Sequence, residues 1–224
     1  MCIRDRYSRE QLETCSCLLK KFNAVSVRES SGVELCRNYF GVNAVQMLDP
    51  TLLLSVDDYR MLIDKVNTKS PQDNMLVYIL DKTEEKIDLV NRIASEKGLI
   101  PFWLDSPNEQ NENLSLDKQV KMSVEQWLCT FNNASFVVTD SFHGCVFSIL
   151  FHKQFVAVGN VERGLSRFSS LLNSFSISER LVTSVKDYEN RKNILNGDID
   201  FEPIEKTLDE LRGKSEFFIK KSII

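Results

Sequence analysis

The most informative stretch of the chain is residues 135–151, which read SFVVTDSFHGCVFSILF. Ser135 to Thr139 is a short, mainly apolar run that predicts a buried β-strand. Cys145 to Phe151 is a second apolar run and predicts a short helix. The turn Asp140-Ser141-Phe142-His143-Gly144 joins the two runs. The stretch therefore predicts a strand that leads through a turn into a buried helix.

The same alternation of strand and helix extends on both sides of this stretch. Phe155 to Val158 predicts the next strand, and Met75 to Leu80 and Leu99 to Leu104 predict two earlier ones. The segment between the earlier two, Thr83 to Lys97, carries apolar residues at helical intervals. Strands that are apolar on both faces and alternate with helices indicate a parallel sheet covered by helices, so the predicted fold class is α/β.

Helix starts are predicted where a Ser or Asp precedes a Glu or Gln by three residues, which is the spacing of a capping box. We take three pairs with this spacing as helix starts: Ser31 and Glu34, Asp81 and Glu84, and Ser123 and Gln126. The first pair predicts a helix from Ser31 to Phe40, soon after a short strand at Val25 to Val27. Arg28 therefore falls between a strand end and a helix start.

Two polar stretches, a linker at 67–74 and an exposed loop at 106–121, interrupt the pattern. We therefore predict the remnant of a first domain at 7–66 and a second domain at 75–224, which ends in an amphipathic helix from Glu202 to Lys221. Residues 1–6, MCIRDR, resemble the translation of a common sequencing adapter and are excluded from the fold assignment. On this interpretation the chain is cut on its N-terminal side, and we expect it to be inactive by itself.

The composition excludes several classes of protein. Of the 224 residues, 42% are hydrophobic and 27% are charged, which is typical of a globular protein. The net charge of −4 leaves no broad basic surface, so nucleic acid is not an expected partner. The longest apolar stretch, Cys145 to Phe151, is far shorter than the roughly 20 residues of a membrane-spanning helix. The cysteines are too scattered for a zinc site or a disulfide framework, which indicates a reducing cytoplasm.

The turn that contains His143 is the strongest candidate site. In parallel sheets, ligands collect beyond the carboxyl ends of the strands, where helix starts favour anions. Asp140 or Ser141 can cap the following helix, and Gly144 permits the close approach of a backbone or a ligand. His143 is predicted either to touch an anionic ligand or to be a structural histidine, and the pattern leaves both interpretations open.

Three arginines are further candidates. Arg28 could bind a carboxylate or a phosphate through two parallel hydrogen bonds, or it could pair with Glu29 or Asp49. Arg163 and Arg167 follow the strand at 155–158, again near a carboxyl end. The turn at 80–83 contains no glycine, so the fingerprint of a dinucleotide or phosphate-binding loop is missing. The sequence shows no cluster of metal ligands, so we require no metal.

The order of these segments resembles the polysaccharide pyruvyl transferase family. The resemblance rests on VSVRE at 25–29, DPT at 49–51, DSFHG at 140–144 and Arg163-Gly164, and it extends from about Leu18 to Leu172. It implies two facing Rossmann-like domains of the glycosyltransferase type, each a parallel sheet with helices on both faces. The chain would hold the end of the first domain and all of the second. The resemblance also implies transfer of the enolpyruvyl group of phosphoenolpyruvate to a sugar, which forms a pyruvate ketal.

The resemblance assigns roles to residues by position. His143 matches the motif histidine beside the donor and is the candidate catalytic residue. The candidate donor-binding residues are Arg28, Ser141, Phe142, Gly144, Arg163 and Arg167. Many members of the family carry arginine where this chain has Ser141, so Arg163 and Arg167 are the candidates to supply the missing positive charge.

The implied donor is phosphoenolpyruvate, and no cofactor is implied. The implied acceptor is a sugar or a lipid-linked oligosaccharide of a bacterial cell-surface polysaccharide. We expect a cytoplasmic location, including peripheral association with the inner face of the membrane. The alternatives are a glycosyltransferase of the same architecture that uses a nucleotide sugar, and a non-catalytic sugar-binding module.

Overall fold

The computed structural model of the chain describes residues 7–65, 74–104, 122–160 and 164–223. Residues 1–6, nearly all of the predicted linker, the predicted loop at 106–121 and Arg163 lie outside the described residues. The chain divides into two compact units. Unit 1 comprises Met1–Leu53, Asn160–Ser178 and Asp200–Ile224, and unit 2 comprises Leu54–Gly159 and Glu179–Ile199.

Strands and helices alternate along the described residues until the last two elements, which are both helices, and every strand and helix predicted above is present. The strands are β1 (Val25–Val27), β2 (Ala44–Gln46), β3 (Met75–Tyr78), β4 (Pro101–Trp103), β5 (Phe136–Thr139), β6 (Gln154–Val158) and β7 (Leu181–Val182). The helices are α1 (Arg9–Leu19), α2 (Ser30–Phe40), α3 (Val56–Ile63), α4 (Glu84–Lys97), α5 (Val124–Asn133), α6 (Phe142–Leu150), α7 (Leu165–Ser174), α8 (Val185–Leu195) and α9 (Glu202–Ile223). Short 3-10 turns lie at Pro50–Leu53 and Ser178–Arg180.

Unit 2 is built on a parallel sheet of five strands, which confirms the predicted α/β class. The strand order is β4-β3-β5-β6-β7, and every pair in it is parallel. Because the strands are parallel, their carboxyl ends lie at one edge of the sheet. At that edge Tyr78 of β3 is paired with Thr139 of β5, so the turns that follow these two strands are neighbours.

Helices cover both faces of this sheet. On one face Val77 belongs to a buried cluster with Leu89 of α4 and Tyr188 of α8. Adjacent residues of a strand point to opposite faces, so Tyr78 faces the other side. There its ring meets Trp127 of α5 edge-on, with the ring centroids 5.5 Å apart. The inner strands β3, β5 and β6 are therefore buried on both faces, as their continuous apolar sequences predict. β4 was also predicted to be buried, but it lies at the edge of the sheet and is only partly buried.

Unit 1 contains the parallel pair β1 and β2, together with helices from distant parts of the chain. Ser170 of α7 accepts a hydrogen bond from the backbone N–H of Ser30 at 3.4 Å. Arg212 of α9 donates from Nε to the carbonyl oxygen of Leu52 at 2.7 Å. No helix among the described residues, α9 included, is both long and apolar enough to cross a bilayer.

Each compact unit is assembled from segments that are separated in the sequence. The predicted second domain, 75–224, includes two segments that pack within unit 1, namely 160–178 and 200–224. The hydrogen bonds of α7 and α9 described above are among the contacts that hold these segments there. The interpretation of residues 7–66 as the remnant of a first domain stays a prediction.

Two of the three predicted capping boxes are wrong, whereas the one ahead of α5 has both of its reciprocal bonds. Thr83, not Asp81, is the N-cap of α4, because the helix begins only after Thr83. Glu29 is the N-cap of α2 and makes no side-chain cap bond. Because that helix already begins at Ser30, Ser31 lies within it and cannot cap it.

Candidate active site

The first turn of α6 exposes His143 at the carboxyl edge of the sheet. The helix begins at Phe142 with Ser141 as its N-cap, so His143 is the second helical residue. His143 is exposed, whereas Phe142 and Gly144 on either side of it are buried. The Phe142 ring meets the imidazole edge-on, with centroids 5.5 Å apart. An imidazole so placed can bond to a ligand at the helix start, where the free N–H groups favour negative charge.

A buried threonine shapes this turn. Thr139 donates from Oγ1 to the carbonyl oxygen of Tyr78 at 2.8 Å and accepts from the backbone N–H of Ser141 at 3.0 Å. Gly144 packs against the same side chain so closely that a Cβ at Gly144 would lie 2.2 Å from Thr139 Oγ1. The close approach predicted for Gly144 is therefore made by the protein's own threonine.

Three of the predicted donor-binding residues are buried in the turn itself. Ser141 and Phe142 are 6% and 8% exposed, and Gly144 is buried as well. Ser141 Oγ accepts a hydrogen bond from the Gly144 N–H at 3.4 Å, so Ser141 is the cap that the sequence left undecided between two residues. These residues have clear structural roles, and their contact with a donor stays a prediction.

A charged cluster that was not predicted from the sequence lies at the same edge of the sheet. Asp140 accepts hydrogen bonds from the backbone N–H groups of Leu80 at 2.6 Å and Asp81 at 3.1 Å. It also accepts from Lys86 Nζ at 2.7 Å, and Lys86 in turn donates to the carbonyl oxygen of Asp81 at 2.8 Å. We call Asp140, Lys86 and the amides of Leu80 and Asp81 the Asp140 clasp. It joins the turn after β3 to the turn after β5.

Tyr78 lies at the same junction. Burial raises the pKa of its phenol and outweighs the hydrogen bonds to Trp127 and Ser141, which lower it. The hydroxyl therefore stays protonated at neutral pH. It can serve as a hydrogen-bonding group next to the cap of α6, but not as a base.

Unit 1 contains a cleft of 330 Å³ beyond the end of β1. This volume is at the lower end of the range of about 300–1,000 Å³ that is usual for sites of small ligands. The polar lining includes Arg28, Glu29, Ser31 and Ser166, and the apolar lining includes Tyr7, Val27, Leu35, Cys36 and Phe40. The cleft combines a cation, hydroxyls and an apolar wall, which suits a small polar ligand.

Arg28 in this cleft forms an ion pair with Asp49. The Asp49 side chain is 4% exposed and also accepts from the backbone N–H of Thr51 at 2.9 Å. Burial raises the pKa of Asp49, but the hydrogen bonds from Arg28 and Thr51 and the charge of Arg28 outweigh it, so the net pKa is lowered. The structure thus shows one of the pairings that the sequence left open for Arg28. Its contact with a donor stays a prediction.

We expect Asp49→Asn to destabilise the protein at pH 7 by about 1–3 kcal/mol, because it weakens charge-assisted hydrogen bonds of a buried carboxylate. The folded-state pKa of Asp49 is lowered, so its contribution is fully present above the unfolded pKa of about 3.9 and disappears as the pH falls through the folded value. Urea unfolding of both proteins from pH 7 downward should show the difference shrinking below about pH 4. A difference that is the same at every pH would contradict this account.

The two other predicted arginines follow β6. Arg163 lies outside the described residues. Arg167 lies in the first turn of α7, whose N-cap Gly164 has a left-handed φ of 77°. A Cβ at Gly164 would come within 3.0 Å of the Arg167 guanidinium, so the glycine leaves room for this side chain. Arg167 makes no ion pair with another described residue.

The described residues include no group of three or more His, Cys, Asp or Glu side chains placed to hold a metal ion. The cysteines among these residues are free thiols, and Cys36, Cys129 and Cys145 are buried. Burial raises the pKa of Cys36 and of Cys145, which keeps both thiols protonated. A buried thiol of this kind behaves as a small apolar side chain rather than as a nucleophile.

Comparison with known families identifies the family of the chain. A family model described as polysaccharide pyruvyl transferase matches residues 3–162, which include Arg28, Asp49 and the turn at 140–144. The match covers more than half of the chain and overlaps most of the predicted extent of the resemblance. No curated protein matches the chain. On the strength of the family match, the chain belongs to the polysaccharide pyruvyl transferase family.

Proposed function

We propose that the protein transfers the enolpyruvyl group of phosphoenolpyruvate to a sugar of a bacterial cell-surface polysaccharide precursor. The product is a pyruvate ketal. Family membership identifies the protein as a transferase of polysaccharide biosynthesis. The observation that carries the finer proposal is His143, an exposed imidazole in the first turn of α6 at the carboxyl edge of a parallel sheet.

The reaction requires one proton to be placed on carbon and one phosphate to be released. Protonation of the methylene carbon of phosphoenolpyruvate makes a methyl group and leaves a cation on the adjacent carbon. A sugar hydroxyl attacks that carbon, the bond from carbon to the phosphate oxygen breaks, and a second hydroxyl of the same sugar closes the ketal. The two hydroxyl protons balance the proton on the methyl group and the proton on the released phosphate.

His143 can serve this chemistry in two ways. An imidazole changes its charge near neutral pH, so it can deliver the proton to the methylene carbon as a general acid. It can instead protonate or hydrogen-bond the departing phosphate. Both roles use an exposed imidazole at a helix start, and the variants described in the Discussion separate them.

The donor carries a carboxylate and a phosphate, so its binding needs cations and free backbone amides. We assign Arg28 to one of these anionic groups, because it lies in the cleft of unit 1 beside the start of α2. A bound carboxylate or phosphate would share Arg28 with Asp49. Many members of the family carry an arginine at the position of Ser141. We propose that Arg163 and Arg167 supply the positive charge of that arginine in this chain.

A ligand-binding experiment tests the donor directly. Phosphoenolpyruvate at about 100 times its Kd should stabilise the folded protein by about 2.7 kcal/mol, which raises the melting temperature by roughly 5–10 °C. Arg28→Lys should weaken this shift because lysine lacks the planar fork of arginine. The matched control is Arg60→Lys, which changes an exposed arginine of α3 and should leave the shift intact.

Three results would contradict the proposal. A rise in melting temperature with nucleotide sugars but none with phosphoenolpyruvate would indicate a glycosyltransferase instead. An undiminished shift in Arg28→Lys would exclude Arg28 as a donor contact. Binding of the sugar acceptor without ketal formation would indicate a non-catalytic sugar-binding module. The last case is decided by a transfer assay on the product of the complete gene, with labelled phosphoenolpyruvate and a lipid-linked sugar.

The proposal extends to the setting of the reaction. We propose a two-domain, glycosyltransferase-like architecture with Rossmann-like domains. We further propose that the reaction uses no cofactor and takes place in the cytoplasm, including the inner face of the membrane, where lipid-linked acceptors are presented.

A further inference from the structure

The Asp140 clasp is a charged cluster to which the proposed chemistry assigns no role. Its two charged side chains are nearly buried, with 7% of Asp140 and 11% of Lys86 exposed. Burial of an ion pair costs desolvation free energy that the pairing often fails to recover, and apolar side chains of similar size often serve stability equally well. The clasp also stands at a particular place, between the end of β5 and the N-cap of the helix that carries His143.

We propose that Asp140 is a positioning residue that holds His143 in its reacting place, an inference that rests on the proposed function. Both Asp140 oxygens are tied to the turn after β3, through the amides of Leu80 and Asp81 and through Lys86. Thr139, which precedes Asp140, links Ser141 to β3 as well. Its hydroxyl accepts a hydrogen bond from the Ser141 N–H and donates one to the carbonyl oxygen of Tyr78 in β3. The first turn of α6 is thus anchored to the neighbouring strand by two sets of hydrogen bonds.

The clasp needs a carboxylate at this position. An ionised carboxylate only accepts hydrogen bonds, and here three donors converge on its two oxygens. Asparagine has the same size, but one of its two terminal groups is an NH2 that would face a donor. Asp140→Asn therefore turns one attraction into a repulsion. It also removes the carboxylate 2.7 Å from Lys86 Nζ, so that the more distant Asp81 carboxylate, at 3.8 Å, is left to balance the lysine charge. A displacement of a reacting group by about 1 Å can cost about a hundredfold in rate.

The experiment compares Asp140→Asn with a matched control, Glu96→Gln. Glu96 is also a partly buried carboxylate of unit 2, and it accepts from Tyr188 and Lys192, each at 3.0 Å. It lies in the last turn of α4, and helices that connect parallel strands end at the opposite edge of the sheet. We expect Asp140→Asn to lower kcat at least about tenfold with the KM for phosphoenolpyruvate within about twofold, and Glu96→Gln to leave both unchanged.

A double-mutant cycle with His143→Ala separates positioning from a general structural effect. If Asp140 acts through His143, the double variant and His143→Ala alone should differ in turnover by less than about twofold. If its losses multiply with those of His143→Ala, or if Asp140→Asn keeps the turnover of the wild type, the proposal is overturned. Lys86→Met is a milder variant, because it leaves the two hydrogen bonds from backbone amides to Asp140 in place. It should also lower kcat, and it provides the test if Asp140→Asn fails to fold.

Hydrogen exchange decides the inference even if the protein proves not to make a ketal. Asp140→Asn should speed exchange of the amides of Leu80, Asp81 and Gly144 by about tenfold or more, whereas Glu96→Gln should not. Absence of ketal formation by the wild type would overturn the proposed function alone. Unchanged exchange at Gly144, in the first turn of α6, would overturn the positioning role whatever the wild type catalyses.

Discussion

Replacement of His143 by alanine is expected to lower turnover by about a hundredfold or more, the usual contribution of a general acid. The melting temperature should change by less than about 2 °C, because the side chain is exposed and exposed substitutions seldom cost more than about 0.5 kcal/mol. The measurement is ketal formation by the product of the complete gene, together with a thermal melt of the same preparation. Turnover close to that of the wild type would remove His143 from the mechanism.

A second substitution at this position separates its two candidate roles. His143→Asn keeps a hydrogen-bond donor but cannot deliver a proton at neutral pH. If His143 only binds the departing phosphate, asparagine should retain a substantial share of the turnover; if it is the acid, asparagine should be as inactive as alanine. His152→Ala is the matched control, because His152 is also exposed but lies just beyond the far end of α6. It should behave like the wild type.

Gly144→Ala is expected to have the largest effect on stability, with a loss of about 3 kcal/mol or more. A Cβ at this position would lie 2.2 Å from Thr139 Oγ1 and 2.9 Å from Thr139 Cβ, so something must move. Thr139 cannot rotate away without cost, because it is fully buried and its hydroxyl makes two hydrogen bonds. Chemical denaturation should therefore show a much lower midpoint for the variant.

Gly213→Ala provides the control, because Gly213 lies within α9 and a Cβ there would meet nothing within 4 Å. It should stabilise the protein by about 0.5–1 kcal/mol through the better helix propensity of alanine. The double variant Thr139→Ala with Gly144→Ala should lose less stability than the sum of the single losses, because the first change removes the closest atom of the clash. Simple additivity would contradict the steric explanation.

Four of the five strands of the sheet were predictable because each is a continuous apolar run, and α4, α5 and α6 were predictable from apolar residues at helical intervals. β7 and α8 were not predicted, and β7, with only two residues, is too short to give an apolar run. β3 and β5 are buried on both faces, and this is the pattern from which the parallel sheet was inferred. Helix caps were less predictable because several polar residues near a helix start compete for the same role. Asp81 has the right spacing for a cap, yet Thr83 occupies the position from which a side chain can reach the first free amides.

The candidate site was predictable in part. His143 and Arg28 were recognised because each follows a strand and precedes a helix, and Asp49 was named as one partner of Arg28. The Asp140 clasp could not be found in the same way, because Lys86 is 54 residues from Asp140 in the sequence and only strand pairing brings them together. The burial of Ser141 was equally hidden, since it depends on how the turn packs against Thr139.

The distribution of unit 1 over three separate segments has a consequence for how the protein folds during its synthesis. Every segment of unit 2 precedes α9 in the chain, so the ribosome releases all of unit 2 before the helix that binds Leu52 is available. Domains generally fold in the order in which they emerge. We therefore expect nascent chains whose residues up to 199 have left the ribosomal exit tunnel to contain a folded five-stranded sheet. In these chains β1 and β2 still await α9, which leaves this pair of strands exposed to chaperones and proteases for longer.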